Sequence, residues 1–142
     1  MAASPTPEGP AGGDLAGCPI GDLMKTEVIS VRESVKVREA IALVVEHKIA
    51  GLPVVDEENH LIGVVSEKEL LISAASGQMD GPLQFCRTPD AVTRDTIIKD
   101  VLVQMLKRNR KWLPVLSEEW EVLGVIARRD LLAWFGEEPG AE

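Results

Sequence analysis

The chain has 142 residues, enough for one compact domain or for two very small halves that share a core. Its net charge is −8, from 23 acids against 15 bases, which argues against a nucleic-acid backbone as the main partner because that needs clustered Lys and Arg. Hydrophobic residues make up 45% and charged residues 27%, ordinary for a soluble globular protein, and no run approaches the roughly 18 to 20 apolar residues that cross a bilayer.

Residues 1–17 are mostly Pro, Gly and Ala and carry no Lys or Arg. They bury too little surface to offset their ordering entropy, so they read as a flexible tail. They also make a poor secretory signal, and the expected location is cytoplasmic. Cys18 to Met24 reads as one turn of helix leading into a first unit. Val28 to Val31 is a short strand; Ser34 is an N-cap and Val35 to His47 a helix, with Val37, Ala40, Ile41, Val44 and Val45 at helical spacing. Gly51 ends that segment. Leu52–Val55 and Leu61–Val65 flank the turn Asp56-Glu57-Glu58-Asn59 and form a hairpin. Ser66 with Glu69 three residues on is a capping box, so a helix starts there.

Gly77 to Pro82 is rich in turn residues. A second unit then repeats the order. Ala91 to Thr93 is a strand, Asp95 or Thr96 a cap, and Ile97 to Asn109 a helix with its apolar face at Ile98, Val101, Leu102, Met105 and Leu106. Leu113–Leu116 and Val122–Ala127 make a hairpin, and Arg128 to Phe135 a last helix stopped by Gly136 and Pro139. The divisions are an N-terminal tail over 1–17, a first repeat over 18–76, a connector over 77–84, a second repeat over 85–135 and a C-terminal tail over 136–142.

The two units are copies. Pro53 to Pro114 spans 61 positions, and Gly63 to Gly124 spans the same 61. A fixed offset between separate landmarks marks a duplication. A β-α-β-β-α unit covers only one face of its three-stranded sheet, so each copy needs the other to bury the rest. The fold class is therefore α/β (α+β): two β-α-β-β-α repeats packed about a pseudo-two-fold axis, with two related clefts between them.

Other chemistry is thinly represented. Cys18 and Cys86 are isolated thiols, and a single bridge would be unusual in a cytosolic chain. Cys86 reads as a small core hydrophobe, and His47 and His60 as exposed polar positions; no metal site is expected from them. There is no Ser-His-Asp, Cys-His or paired-carboxylate constellation and no Walker-type phosphate loop, so the chain is read as non-catalytic.

The residues Gly51-Leu52-Pro53-Val54-Val55-Asp56, Gly63-Val64-Val65-Ser66 leading to Leu70, and the matching Leu113-Pro114-Val115 and Gly124-Val125-Ile126 leading to Asp130-Leu131 resemble a pair of cystathionine-β-synthase (CBS) domains, the arrangement called a Bateman module. Met24-Lys25-Thr26 is similar to the Met-Thr that opens such units, and the likeness covers roughly residues 20 to 135. The resemblance implies a regulatory sensor of adenine nucleotides (AMP, ADP or ATP) or of S-adenosylmethionine, and a homodimer with a regulated protein partner. It implies no obligatory cofactor, nucleic acid or membrane. The family motif is Gly-x-x-Ser/Thr-x-x-Asp, in which the hydroxyl meets a phosphate and the carboxylate accepts both ribose hydroxyls.

Both copies depart from that motif. In the first, Ser66 is present and Glu69 stands where Asp is expected; the family pattern completes this cleft with Ala91, Val92, Arg108, Lys111 and Trp112. Arg108 and Lys111 would meet phosphate, and Trp112 would stack on a base or pack at the repeat interface. In the second, Asp130 is in place and Ala127 has lost the hydroxyl; Arg128 would supply a phosphate donor, and Ile29, Ile49, Ala50 and Gly51 would frame an adenine edge. Each of these residues also has a bland reading: Ser66 as an N-cap, Asp130 and Glu69 as first-turn acids, the Arg and Lys runs as solvated faces. Trp120 and Trp134 are candidates for an oligomer interface. The alternative function is a structural or dimerisation module with degenerate clefts.

Overall fold

The structure, a computed structural model, describes residues 17–136. The tails expected over 1–17 and 136–142 lie outside the described residues, Gly17 and Gly136 apart.

Two three-stranded sheets repeat one plan. In the first, β1 (Val31–Arg32) runs parallel to β2 (Gly51–Val55), which pairs antiparallel with β3 (Leu61–Ser66). Between β1 and β2 lies α1 (Val37–His47), and α2 (Glu67–Ala75) follows β3. In the second, β4 (Val92–Thr93), α3 (Ile98–Arg108), β5 (Trp112–Leu116), β6 (Val122–Ala127) and α4 (Arg128–Gly136) repeat the order and the pairing. This is the α/β architecture of two β-α-β-β-α repeats. The two registers match pair for pair at the 61-residue offset: Pro53 faces Val64 and Pro114 faces Val125.

The helix starts fall later than capping residues suggest. Ser34 and Thr96 do not cap. Lys36 and Ile97 stay extended (ψ 152° and 156°) because each bridges a distant strand-like residue, Pro82 and Pro19 respectively. Helix α1 begins only after Lys36, whose N–H donates to the Glu39 carboxylate at 3.1 Å. Thr96 Oγ1 instead accepts the Thr93 N–H at 3.2 Å. Similarly, α1 is stopped not by Gly51 but by Lys48, which takes the left-handed conformation (φ 55°), as Asn109 does after α3. Ladder pairing of the first strand starts at Val31 rather than Val28, and Val28 packs at the interface between the repeats.

Each repeat lends its leader to the other. Cys18 to Met24, expected to lead into the first unit, forms a 3-10 turn at Ile20–Asp22 that docks on the second. Ile20 is fully buried among Ile98, Met105, Leu113, Ile126 and Leu131. The Lys25 N–H donates to Val125 O at 2.9 Å and Val125 returns the bond at 3.0 Å. In the mirror arrangement, Leu83 is buried in the first core beside Val37, Leu52, Val65 and Leu70, and Cys86 exchanges two bonds with Val64. A third cluster, Val55, Leu61, Leu116 and Val122, joins the repeats. Cys86 is a half-buried free thiol, its Sγ 3.7 Å from Thr88 Oγ1. His47 is exposed; His60 is half-buried beside Asp56. Trp120 is 52% exposed in the second hairpin turn, whereas Trp134 packs against the second core.

The hairpin turns use different acceptors in equivalent places. Asp56 Oδ1 accepts the Glu58 and His60 N–H groups at 2.8 and 2.9 Å; Ser117 Oγ accepts those of Glu119 and Glu121 at 3.2 and 3.1 Å. The His60 amide is the main cause holding the Asp56 carboxyl below the usual carboxylate range. A depressed folded value means that the contribution is present above the unfolded value and is lost as pH falls through the folded one. Acidification is expected to raise amide exchange at Glu58 and His60, relative to intrinsic rates, while Glu119 and Glu121 keep their protection. Equal loss in both turns would count against this.

Candidate functional site

A cavity of about 710 Å³ opens between the repeats. One wall comes from the first repeat and its leader: Lys25, Glu27, Ile29, the end of α1 with Val44, Val45 and Lys48, then Ile49, Ala50, Gly51, Pro53 and Glu67. The opposite wall is Lys111, Trp112, Val125, Ala127, Arg128, Arg129 and Asp130. The leader exchange brings Lys25 here, since it pairs with Val125 of the other sheet.

Asp130 lies in the first turn of α4. Its Oδ2 accepts the Ala127 N–H at 2.9 Å, capping the helix, and its Oδ1 lies 3.3 Å from Lys25 Nζ. Its side chain is 11% exposed, so the carboxylate is largely shielded from bulk water yet reaches the cavity. Arg128 is partly committed: its Nε donates to Arg110 O at 2.8 Å and its Nη2 lies 3.4 Å from Asn109 Oδ1. Lys48, Lys111 and Arg129 form no ion pair among the described residues. The lining holds five cations against three carboxylates, in a chain whose total is −8. The local field therefore has the opposite sign to the whole molecule and favours an anionic guest.

The apolar part of the lining includes Ile29, Ile49, Val44, Val125 and Trp112. Gly51 permits this geometry: a Cβ there would lie 2.6 Å from Val65 O and 2.7 Å from Trp112 Nε1. The indole thus closes over the glycine, half-buried.

Seven residues expected at the Asp130 cleft share this cavity: Ile29, Ile49, Ala50, Gly51, Ala127, Arg128 and Asp130. Lys111 and Trp112, expected at the Ser66 cleft, line the Asp130 cavity, where Trp112 at the start of β5 lies against Gly51 at the start of β2. Ser66, Glu69, Ala91, Val92 and Arg108 lie outside its lining. Val92 is a core residue, 5% exposed; the Ala91 carbonyl accepts Gln104 Nε2 at 3.3 Å; and Arg108 lies 3.8 Å from Asp90. Glu69 folds back on its own helix, where its Oε1 accepts the Ser66 N–H at 2.8 Å and lies 3.3 Å from Ser66 Oγ. Lys25, Glu27, Lys48 and Glu67 are cavity residues that sequence reasoning missed, while Arg129, one of the basic run weighed there, also lines it. Lys25 had one signal, its place beside Met24 at the opening of the unit. Among the described residues, no group of three or more His, Cys, Asp or Glu could hold a metal ion. No helix among them is long and apolar enough to cross a membrane.

The model of the CBS domain matches this chain twice, over residues 20–76 and 85–137. A relative in Acidianus ambivalens, an uncharacterized 17.7 kDa protein, is 29% identical over 114 residues, which are 79% of this chain and 70% of that one. Other relatives are longer: the chain spans 43% of protein MJ1225 of Methanocaldococcus jannaschii. Among solved structures, CBSX2 of Arabidopsis thaliana, in complex with AMP, superposes with a TM-score of 0.72 at 30% identity and covers 82% of this chain and 95% of its own. The cytosolic domain of the Mg2+ channel MgtE, in complex with ATP, gives 0.72 at 26% identity over 82% of this chain and 48% of its own.

Proposed function

Because the chain belongs to the CBS-domain family, we propose that it is a non-catalytic sensor whose Asp130 cavity binds an adenine nucleotide and passes the resulting shift between repeats to a partner. The observation that carries this reading is the convergence, in one cavity, of a shielded carboxylate, an apolar frame and a cationic rim. Asp130 would accept the ribose hydroxyls, Ile29 and Ile49 would flank the base, and Lys111, Arg128 and Arg129 would meet phosphate. AMP and ATP in the two related structures support the ligand class. A guest that favours one angle between the repeats shifts that equilibrium only by its difference in affinity for the two arrangements. S-adenosylmethionine is the less favoured guest, since its sulfonium would meet a rim with an excess of cations.

A second copy of the chain is the proposed partner in a homodimer. Val45 and Leu106, at equivalent positions, are 69% and 67% exposed; Leu71 and Leu132, also equivalent, are 69% and 72% exposed. The same helical positions thus leave apolar side chains uncovered in both repeats, which suits a two-fold contact. A structural module with unused clefts is favoured by one observation: Asp130 and Glu69 both already serve as helix caps. The cytoplasm is the proposed location.

Isothermal titration with AMP, ADP, ATP and S-adenosylmethionine tests the sensor. The expected outcome is one nucleotide per chain, with S-adenosylmethionine weaker than any of the three. Binding to the folded state alone should also raise stability, by about 2.7 kcal/mol at a hundredfold excess over Kd. Silence for all four at millimolar concentration, in heat and in melting temperature, would leave the structural module as the better reading.

A further inference from the structure

We propose that Asp90 and Arg110 restrict this chain to a single ligand cleft, by filling the pseudo-symmetric counterpart of the Asp130 cavity with the chain's own ion pair. The proposal rests in part on the nucleotide reading of the Asp130 cavity. The 61-residue offset carries Ile29 onto Asp90 and Ile49 onto Arg110. In the open cavity the two isoleucines are apolar walls. In the counterpart, Arg110 Nε donates to Asp90 Oδ2 at 2.8 Å. The Asp90 side chain is only 13% exposed, and its other carboxylate oxygen lies 3.8 Å from Arg108 Nη1. A third polar tie, Gln104 Nε2 to Ala91 O at 3.3 Å, stands where the first repeat has Leu43.

These contacts make the second cleft self-occupied. The pair resists displacement chiefly through Asp90: Arg110 is 41% exposed, but moving it away leaves a shielded carboxylate unpaired. A base entering there would meet charged groups in place of both apolar walls, which is costly unless each regains a partner. The small residue is missing too, since Gly51 is matched by Trp112. The same arginine serves the open side: its carbonyl accepts Arg128 Nε at 2.8 Å, so the turn that closes one cleft positions a cation at the mouth of the other.

The test is calorimetric titration of the full chain with AMP in four forms, with far-UV circular dichroism to verify folding. Asp90→Ile/Arg110→Ile transposes the walls of the open cavity and removes both charges together, so that neither is left unpaired. The expected stoichiometries are one for the wild type, none for Asp130→Ala, two for the double variant, and one when the double variant also carries Asp130→Ala. A stoichiometry of one in the double variant overturns the proposal and leaves the Asp130 reading intact. Two in the wild type overturns it as well. None in the wild type with one in the double variant sustains the proposal and defeats the Asp130 reading, whereas none in either defeats both. A readout that needs no variant is the amide spectrum: AMP should shift Ala127 and Asp130 and leave Ser66 and Glu69 in place. Shifts at Ser66 and Glu69 of the wild type would overturn the proposal.

Discussion

Gly124→Val is expected to lower stability by about 3 kcal/mol and to detach the N-terminal leader. A Cβ at this position would lie 2.5 Å from Lys25 O and 2.9 Å from Met24 Sδ. The thioether can swing away; the carbonyl cannot, because it accepts the Val125 N–H at 3.0 Å while the Lys25 N–H donates back at 2.9 Å. Relief therefore breaks a two-bond bridge, and the chain that leaves takes Ile20 out of the second core, where it is fully buried. Lys25 leaves the cavity in the same movement. Urea unfolding gives the measurement: the midpoint should fall, and amide protection should fall at Ile20 and Val125. Gly136→Ala, where a Cβ meets nothing within 4 Å, should not lower the midpoint. An unchanged midpoint for Gly124→Val would mean that the leader does not lie against β6 as described.

Asp130→Ala has a smaller effect on folding and a large one on binding. Loss of the acceptor for the Ala127 N–H removes a helix cap, about 1 kcal/mol. The Lys25 contact adds little, since the Lys25 side chain is 64% exposed and well screened. Binding is different. Charge-assisted hydrogen bonds in a shielded site are worth about 1.5 to 3 kcal/mol each, so AMP affinity should fall about a hundredfold or more. Glu69→Ala is the matched control: it removes the equivalent cap, with the Ser66 N–H at 2.8 Å, and should cost similar stability with AMP affinity unchanged. If Asp130→Ala binds AMP as the wild type does, the ribose is held elsewhere.

The repeat itself was legible because duplication leaves landmarks that no local effect can shift: two prolines and two glycines at one offset fix both hairpins and their register. The capping box at Ser66 and Glu69 was legible for a similar reason, since both bonds lie within four residues. Ser34 and Thr96 were misread because helix starts there are set from a distance. Lys36 and Ile97 are kept extended by Pro82 and Pro19, partners 46 and 78 positions away, and a local cap rule cannot register them. The place of Lys111 and Trp112 in the Asp130 cavity is likewise set from a distance. Their types suited a ligand wall, but which wall depends on how two hairpins meet across the pseudo-axis. Glu27, Lys48 and Glu67 line the cavity through position alone, with no motif to announce them.

The exchanged leaders also bear on when the molecule can form. Lys25 and Val125 stand a hundred positions apart, and Ile20 seats beside residues that begin at Val92. At synthesis rates of about 5 to 20 residues per second, the leader waits roughly 5 to 20 s before its berth exists. During that interval the first repeat, whose own slot fills once Leu83 has followed it, carries a loose arm bearing Ile20. A neighbouring copy of the chain that has completed its second repeat offers the same berth for that arm. Crowded polysomes would therefore favour arm exchange between neighbouring chains, whereas dilute synthesis would let each chain close upon itself.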